Sequence, residues 1–331
     1  MKKSFLFSIF SCFILSILTS CSPHRIYTIE GSSMGTIYSI KYSGSEDEGL
    51  KNAVDSLLSK INQELSVFDS TSAVSQINRN EVTKLSQEFI YIYNIAQQVS
   101  KETNGAFDIT IGPLVNLWGF GPDEEHKVTQ KEIDSVKKIV GYEKITIKDE
   151  VLVKHDSRIK LNFNAIAKGY AVDRIADLLE KKGHPNCIVE IGGEVVARGS
   201  RYKKPWRVGI QVPTKEKDGE IESQYIFPLQ DRAVATSGNY RNYHEIDGKR
   251  FSHIINPYTG LAEQSDLLSV TVIADNCITA DAYATAFMVM GMEASKQYLT
   301  KHPEYAAYFI YVTSDGLMSS SKTDNFPNPV K

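Results

Sequence analysis

The order of helical and extended patterns along the chain constrains its fold more than any single motif does. Helical periodicity prevails in the first half of the 331 residues, and β-branched or aromatic runs bounded by turn residues prevail over residues 187–313. Strands and helices do not alternate one by one, as a doubly wound parallel sheet would require. We therefore expect an α+β fold.

Apolar spacing of the i, i+3, i+4 type predicts helices over residues 50–68, 86–103 and 166–182. The segment Thr129-Gln-Lys-Glu132 has the form of a capping box and predicts a helix that stops before Gly141. A last helix is expected near residues 279–292. The polar, proline-containing residues 316–331 are expected to form a loose tail.

The first residues are typical of an export signal. Two lysines precede an apolar run over residues 4–18, and Leu18-Thr19-Ser20-Cys21 resembles a bacterial lipobox. This pattern predicts removal of residues 1–20, acylation of Cys21 and a lipid-anchored tether over residues 21–30. The alternative is an ordinary signal peptide with an incidental cysteine.

A lipid anchor would place the protein on the periplasmic side of a bacterial membrane. We expect the inner membrane, although Ser22 is not the aspartate that marks inner-membrane retention in enteric bacteria, so the outer membrane stays open.

Charge and cysteine usage exclude some classes of function. Forty acidic and 37 basic residues give a formal charge of −3 without a basic stripe, so no nucleic-acid partner is expected. Beyond the N-terminal segment only Cys187 and Cys277 remain, either as separate buried thiols or as a disulfide. No Cys/His cluster has metal-ligand spacing, which argues against zinc.

The stretch "NFNAIAKGYAVD", residues 162–173, joins an extended segment to a helix through small residues. The unpaired N–H groups of a helix N-terminus attract phosphate, and Lys168 on the first turn would add a positive charge. The alternative is a tightly packed corner with a solvated lysine, because neither G-x-G-x-x-G nor a P-loop is present.

Three further stretches can carry chemistry. Asp281 and Thr285, at i and i+4, offer the hard oxygen donors that Mg²⁺ prefers, unless the aspartate only complements the helix dipole. His253, beside an Asn-Pro turn at 256–257, is a candidate general base or a structural histidine. Residues 105–122 combine aromatics and glycines, which suits the wall of a pocket for a flat ligand or an irregular packed segment.

Taken in order, several blocks resemble the ApbE family of FAD:protein FMN transferases over roughly residues 26–312. These blocks are "GSSMGT", "FDSTSAVSQIN", "GAFDITIGPLVNLWGFGP", "NAIAKGYAVD", "EIGGEV", "ATSGNY", "SHIINPYTG" and "TADAYATAFMVMG". The resemblance implies one α+β domain of the T-fold type over residues 31–315, with mixed helices and mostly antiparallel strands. It also implies FAD as substrate and Mg²⁺ at the FAD diphosphate.

The reaction implied by the resemblance splits FAD, attaches FMN to a threonine or serine hydroxyl of a client protein and releases AMP. Clients would be exported domains of redox complexes of the Na⁺-pumping quinone reductase or Rnf type. Two alternatives stay open: hydrolysis of FAD to FMN and AMP at the same metal site, or flavin binding without catalysis by a lipoprotein.

The resemblance also assigns roles to residues of this chain. Mg²⁺ would be held by the Ala165 carbonyl, Asp281, Thr285 and a backbone oxygen of Ala284. Lys168 would contact the nucleotide, and His253 would take the proton of the client hydroxyl. The remaining FAD-lining positions would be Met34, Phe68, Ala106, Phe107, Asp108, Asn162 and Ile255.

One segment departs from the family pattern. Many members have Asp-Leu-Gly where this chain has Asn162-Phe163-Asn164. An asparagine keeps a similar shape and can still accept and donate hydrogen bonds, but it loses the negative charge. The role of Asn162 is therefore in question.

Overall fold

The protein was analysed as a computed structural model that describes residues 25–81, 84–121, 128–211, 224–239, 243–246, 249–262 and 265–330. The predicted signal segment and the predicted lipidation site Cys21 lie outside these residues. In the part of the chain described, no helix is both long and apolar enough to cross a membrane.

The described residues form fourteen strands, most of them in one antiparallel sheet. The strands are β1 (Ile26–Ser33), β2 (Thr36–Ser43), β3 (Ile145–Lys148), β4 (Val151–Lys154), β5 (Cys187–Ile191), β6 (Glu194–Arg198), β7 (Trp206–Gln211), β8 (Gln224–Leu229), β9 (Arg232–Gly238), β10 (Tyr243–Ile246), β11 (Lys249–Ser252), β12 (Leu267–Ala274), β13 (Ala306–Val312) and β14 (Met318–Lys322). Eight of them form a sheet in the order β1-β2-β5-β6-β9-β12-β13-β14. Every neighbouring pair in it is antiparallel, which confirms the α+β prediction.

The helices lie between these strands in the sequence without strict alternation. They are α1 (Leu50–Leu65), α2 (Ala73–Asn78), α3 (Gln87–Glu102), α4 (Gly112–Leu117), α5 (Gln130–Lys137), α6 (Ala167–Lys181), α7 (Cys277–Met290) and α8 (Met292–Leu299), with short 3₁₀ turns at Ile109–Ile111 and Tyr142–Lys144. The predicted capping box of α5 is present, with Thr129 and Glu132 bonded reciprocally.

The limits of two predicted helices need correction. The first helix ends at Leu65 rather than 68, because the backbone becomes extended at Ser66 and leaves Phe68 in a loop. The last predicted helix begins at Cys277, where the Asn276 side chain accepts the Thr279 N–H, and ends before Gly291, whose φ is 78°. The chain then starts α8, which the sequence pattern did not separate.

The large sheet buries both of its faces. Side chains alternate along the strands: Val196 and Phe309 join the larger core with the helices, whereas Val195 and Tyr308 join a second core. The second core is closed by the β7–β8 hairpin and by Phe326. A third, smaller cluster around Trp118 and Ile255 joins residues 111–140 to residues 255–262.

Both predicted chain ends need correction. Residues 26–30, assigned to a lipid-anchored tether, belong to β1 and pair residue by residue with β2. The predicted loose tail contains β14, which pairs with β13, and Phe326, which is 2% exposed. The polar composition of this segment suggested a loose tail, but the Phe326 ring packs against the Phe227 ring, with 5.1 Å between their centroids.

Candidate active site

A single cleft of about 1320 Å³ brings most of the predicted site residues together. It is lined by twelve of them: Met34, Phe68, Ala106, Phe107, Asp108, Asn162, Ala165, Lys168, His253, Ile255, Asp281 and Thr285. These residues come from segments spread along the chain, so the fold itself assembles the set. Ala284 is different, because it is fully buried in α7 and is not among the residues that line the cleft.

The small side chains at the start of α6 are explained by the close contact of this helix with α7. A Cβ atom on Gly169 would lie 2.4 Å from the Cys277 carbonyl oxygen and 2.8 Å from the Asp281 Cβ. With no side chain there, the Gly169 N–H donates a 3.0 Å hydrogen bond to Asp281 Oδ2. The contact fixes a carboxylate of α7 against the first turn of α6, beside Lys168.

Asp173, one turn further along α6, makes the reciprocal contact. Its carboxylate accepts the backbone N–H groups of Cys277 at 2.8 Å and Ile278 at 2.9 Å. These N–H groups belong to the first turn of α7 and have no partner within the helix. Helices α6 and α7 are therefore linked in both directions.

Lys168 is held by a carboxylate that the sequence analysis did not select. Its Nζ lies 2.6 Å from Glu194 Oε1, and the Glu194 side chain is only 3% exposed. Burial would lower the pKa of Lys168, but the Glu194 and Asp281 carboxylates outweigh it and raise that pKa. Burial raises the pKa of Asp281, and the Lys168 charge and the hydrogen bond from the Gly169 N–H oppose this rise only in part.

Hydroxyl groups of the sheet line the cleft next to α7. Thr285 Oγ1 lies 3.0 Å from Ser237 Oγ, and Thr236 Oγ1 lies 2.8 Å from Thr271 Oγ1. Ser237, Thr236 and Thr271 line the cleft as well. They bring neutral oxygen donors to the side of the cleft that Asp281 borders.

Residues 105–121 form one wall of the cleft, as the density of aromatics and glycines suggested. The Asp108 carboxylate accepts two 2.7 Å hydrogen bonds from Thr110, and burial raises its pKa to about 6. Trp118 Nε1 donates to the Gly260 carbonyl at 2.8 Å, which ties this wall to the segment that carries His253. The His253 ring packs edge-on against Phe120, with 6.4 Å between ring centroids.

Two loops complete the cleft near the edge of the sheet. Met34 and Gly35 form the two-residue turn between β1 and β2, and both have positive φ, 53° and 73°. A methionine in this left-handed region is uncommon, since its Cβ disfavours it. Phe68 is 64% exposed although it lines the cleft, so one ring face is available to a ligand.

The asparagine that departs from the family pattern has a structural role. Asn162 Oδ1 accepts the Asn164 N–H at 2.9 Å, and the Asn162 N–H donates to the Ile109 carbonyl at 2.8 Å. An aspartate could make the same Asx turn, since either side chain provides the accepting oxygen. The turn before α6 therefore survives the substitution.

The donor set around Asp281 fits a hard cation better than zinc. Asp281 provides a carboxylate, Thr285 a hydroxyl and Ala165 a backbone carbonyl, and all three residues line the cleft. Among the described residues no group of three or more His, Cys, Asp or Glu could hold a metal ion. A single carboxylate with neutral oxygens is compatible with Mg²⁺, which commonly takes further ligands from substrate phosphates and water.

Sequence reasoning missed Glu194, Ser237 and Gly169 as site residues. Glu194 and Ser237 lie within the quoted blocks "EIGGEV" and "ATSGNY", and Gly169 lies within "NAIAKGYAVD". A lone glutamate directly before the apolar run Val195-Val196-Ala197 is a usable signal, because a buried charge needs a partner. The two remaining cysteines are free and buried, which answers the question of their pairing.

Comparisons with known proteins identify the family of the chain. The ApbE family model matches residues 34–309. The chain is 39% identical over 290 residues to an FAD:protein FMN transferase of Vibrio cholerae, covering 84% of this chain and 86% of the relative. It is 33% identical over 325 residues to an FAD:protein FMN transferase of Haemophilus influenzae, covering 93% of each.

Solved structures show the same fold. The flavin transferase ApbE from Vibrio cholerae superposes with a TM-score of 0.82 at 35% identity, covering 92% of this chain and 99% of the other. The apo form of the Pseudomonas stutzeri flavinyl transferase ApbE also gives 0.82, at 33% identity, covering 92% and 96%. With a family match and relatives above 30% identity over most of the chain, this protein belongs to the ApbE family.

Proposed function

We propose that the chain is an FAD:protein FMN transferase that modifies a threonine or serine hydroxyl of a client protein and releases AMP. The main structural support for this proposal is the α6–α7 junction, where Lys168, Asp281 and Thr285 border the same cleft as His253. Relatives at 33–39% identity that bear this enzyme name support the assignment.

We propose Mg²⁺ as the metal of the reaction, bound by Asp281, Thr285 and the Ala165 carbonyl. When bound, Mg²⁺ would neutralise charge that develops on the FAD diphosphate. The Gly169 N–H holds the Asp281 carboxylate in place for this role. Ala284 is left out of the proposed donor set, because it is fully buried and does not line the cleft.

In the proposed reaction the acceptor hydroxyl oxygen forms a bond to the FMN-side phosphorus. The bond from that phosphorus to the bridging oxygen breaks, and AMP leaves with that oxygen. His253 takes the proton of the hydroxyl, as a general base within the cleft. Phe107 and Ile255, both buried at the cleft wall, would exclude water from the flavin side.

The remaining proposals concern partners and location. We propose that clients are exported domains of redox complexes of the Na⁺-pumping quinone reductase or Rnf type. We also propose that acylation of Cys21 tethers the protein to the periplasmic side of a bacterial membrane, the inner membrane in our proposal. The lipobox-like Leu18-Thr19-Ser20-Cys21 supports the tether, and metabolic labelling with a fatty acid before and after Cys21→Ala would test it.

The catalytic proposal is tested by incubating the protein with FAD, Mg²⁺ and a client acceptor domain. We expect flavin fluorescence that stays on the denatured acceptor band, and no label on an acceptor whose target hydroxyl residue is replaced by alanine. FMN and AMP without a labelled acceptor would favour hydrolysis. Intact, bound FAD would favour a flavin-binding protein.

A further inference from the structure

Glu194 has one oxygen whose role the contacts above do not explain. It is the first residue of β6, directly after the two-residue turn Gly192-Gly193, and it is 2% exposed. Oε1 is paired with Lys168 at 2.6 Å. Oε2 is buried and has no hydrogen-bond partner within the described part of the chain.

A buried carboxylate oxygen without a partner is energetically unfavourable, because a charged group has then lost its hydration without a compensating hydrogen bond. Native proteins rarely keep such a group unless a water, an ion or a ligand completes it. Glu194 lines the cleft, so a partner can reach it from the cleft. When Glu194 is ionised, its carboxylate only accepts hydrogen bonds, so the partner must donate one.

The local charges indicate which donor fits. Lys168 supplies one positive charge, whereas Glu194 and Asp281 supply two negative charges when both are ionised. An anionic diphosphate would enter this negative end of the cleft unfavourably unless a cation came with it. Mg²⁺ usually keeps several of its water molecules, and these are strong hydrogen-bond donors.

We propose that Glu194 is a positioning residue for the metal, with Oε2 accepting a hydrogen bond from a water molecule of bound Mg²⁺ while Oε1 fixes Lys168. Carboxylates that contact a metal through its other ligands orient those ligands and raise metal affinity. The inference rests on the proposed function for the metal itself, and adds a residue that joins the metal to Lys168.

The test measures metal binding directly, without turnover. Mn²⁺ is titrated into the full chain, and free Mn²⁺ is followed by electron paramagnetic resonance for the wild type, Glu194→Gln and Glu194→Asp. We expect Glu194→Gln to weaken Mn²⁺ binding by about 10- to 100-fold. Glu194→Asp, which keeps the charge, should recover part of the loss.

Glu190→Gln is the matched control, because Glu190 also lines the cleft but is exposed. It removes the same charge without the buried contact and should leave Mn²⁺ affinity within about twofold of the wild type, since surface substitutions change little. FAD binding in EDTA, followed by flavin fluorescence, should not weaken in Glu194→Gln, because the glutamine amide oxygen can still accept a hydrogen bond from Lys168.

Equal Mn²⁺ affinity in Glu194→Gln and the wild type would overturn the inference. So would a loss of FAD affinity in EDTA, which would assign Oε2 to a hydroxyl of the nucleotide instead. If the wild type itself bound no Mn²⁺, the proposed metal site would fail, an outcome distinct from the failure of Glu194 alone.

Discussion

Asp281 combines a structural contact with a proposed metal contact. Its Oδ2 accepts the Gly169 N–H, and its carboxylate borders the cleft beside Lys168. An asparagine can preserve the first contact, since its amide oxygen still accepts, but it cannot supply the negative charge. The two roles can therefore be separated by one substitution.

We expect Asp281→Asn to lower Mg²⁺-dependent FAD cleavage by at least about 100-fold, because Lewis-acid catalysis contributes several kcal/mol. Steady-state release of AMP measures the effect, and the melting temperature should change little. Asp275→Asn, at a side chain that is 81% exposed, is the control. Comparable AMP release by Asp281→Asn and the wild type would show that the metal lies elsewhere.

Single residues differed in how far the sequence could predict them. Asp281 and Thr285 were selected because their i, i+4 spacing is visible in the sequence, and Lys168 because it lies on the first turn of a predicted helix; all three line the cleft. Glu194 and Ser237 were not, because their position at the cleft depends on strand pairing between distant segments. Ala284 is fully buried in α7 and is not among the cleft-lining residues, so its expected backbone contact with the metal stays a prediction.

The contact between α6 and α7 depends on the missing side chain of Gly169. We expect Gly169→Ala to destabilise the protein by about 1–3 kcal/mol, since overpacking forces the two helices apart. Because Asp281 would move with α7, FAD cleavage should fall as well. Urea unfolding and AMP release measure the two effects.

Gly49→Ala is the matched control for that prediction. Gly49 precedes α1, and a Cβ there would meet Asp47 Oδ1 at an ordinary 3.4 Å. This control should be neutral or stabilising by up to about 1 kcal/mol. If both variants had the same stability, the close approach at Gly169 would be of no energetic importance.

The half-buried Asp173 predicts a pH dependence of the α6–α7 link. Burial raises its pKa to about 6, only partly opposed by the N–H groups of Cys277 and Ile278. An aspartate in an unfolded chain has a pKa of about 3.9, so the folded state holds this proton more tightly. The resulting stabilisation is complete below about pH 4 and is lost as pH rises through about 6.

We therefore expect the stability of Asp173→Asn relative to the wild type to increase between pH 4 and pH 7. The increase should be on the order of 2–3 kcal/mol, whatever constant cost the substitution brings. Urea unfolding of both proteins at intervals of one pH unit measures it. A difference that stays constant with pH would contradict the raised pKa of Asp173.

Helices and strands were predicted where periodicity is strong, and their ends were predicted where a cap is visible. The helix predicted over residues 86–103 matches Gln87–Glu102, and the capping box before α5 is present. Phe68 fits the apolar stripe of α1 but lies beyond its end, because an exposed aromatic at the cleft satisfies the same spacing. Residues 318–322 lack β-propensity and become a strand by pairing with β13.

Two phenylalanines contrast a position in the core with a position at the cleft. Phe326 lies in the core closed by the β7–β8 hairpin, 5.1 Å from the Phe227 ring and 5.6 Å from the Tyr308 ring. Phe68 borders the cleft and is mostly exposed. The same substitution at these two residues should therefore have opposite effects.

We expect Phe326→Ala to lower the free energy of unfolding by about 3–5 kcal/mol and to leave FAD affinity unchanged. Phe68→Ala should weaken FAD binding, because an aromatic contact is lost, and leave stability within about 0.5 kcal/mol. Urea unfolding and flavin fluorescence measure the pair. A stable Phe326→Ala variant would restore the original interpretation of a loose tail.

The α+β class followed from the order of elements, and the family followed from the quoted blocks. The strand order could not be predicted, because β5 pairs with β2 although more than a hundred residues separate them, and no local sequence pattern indicates this pairing. The sequence therefore predicted many of the residues that line the cleft, but not their arrangement in space.

The most direct test of the account is the balance of products from one reaction with FAD, Mg²⁺ and a client acceptor domain. AMP, free FMN and acceptor-bound FMN are measured together by chromatography and mass spectrometry. We predict as much acceptor-bound FMN as AMP, and none of either with EDTA. AMP matched by free FMN, with the acceptor unmodified, would contradict it.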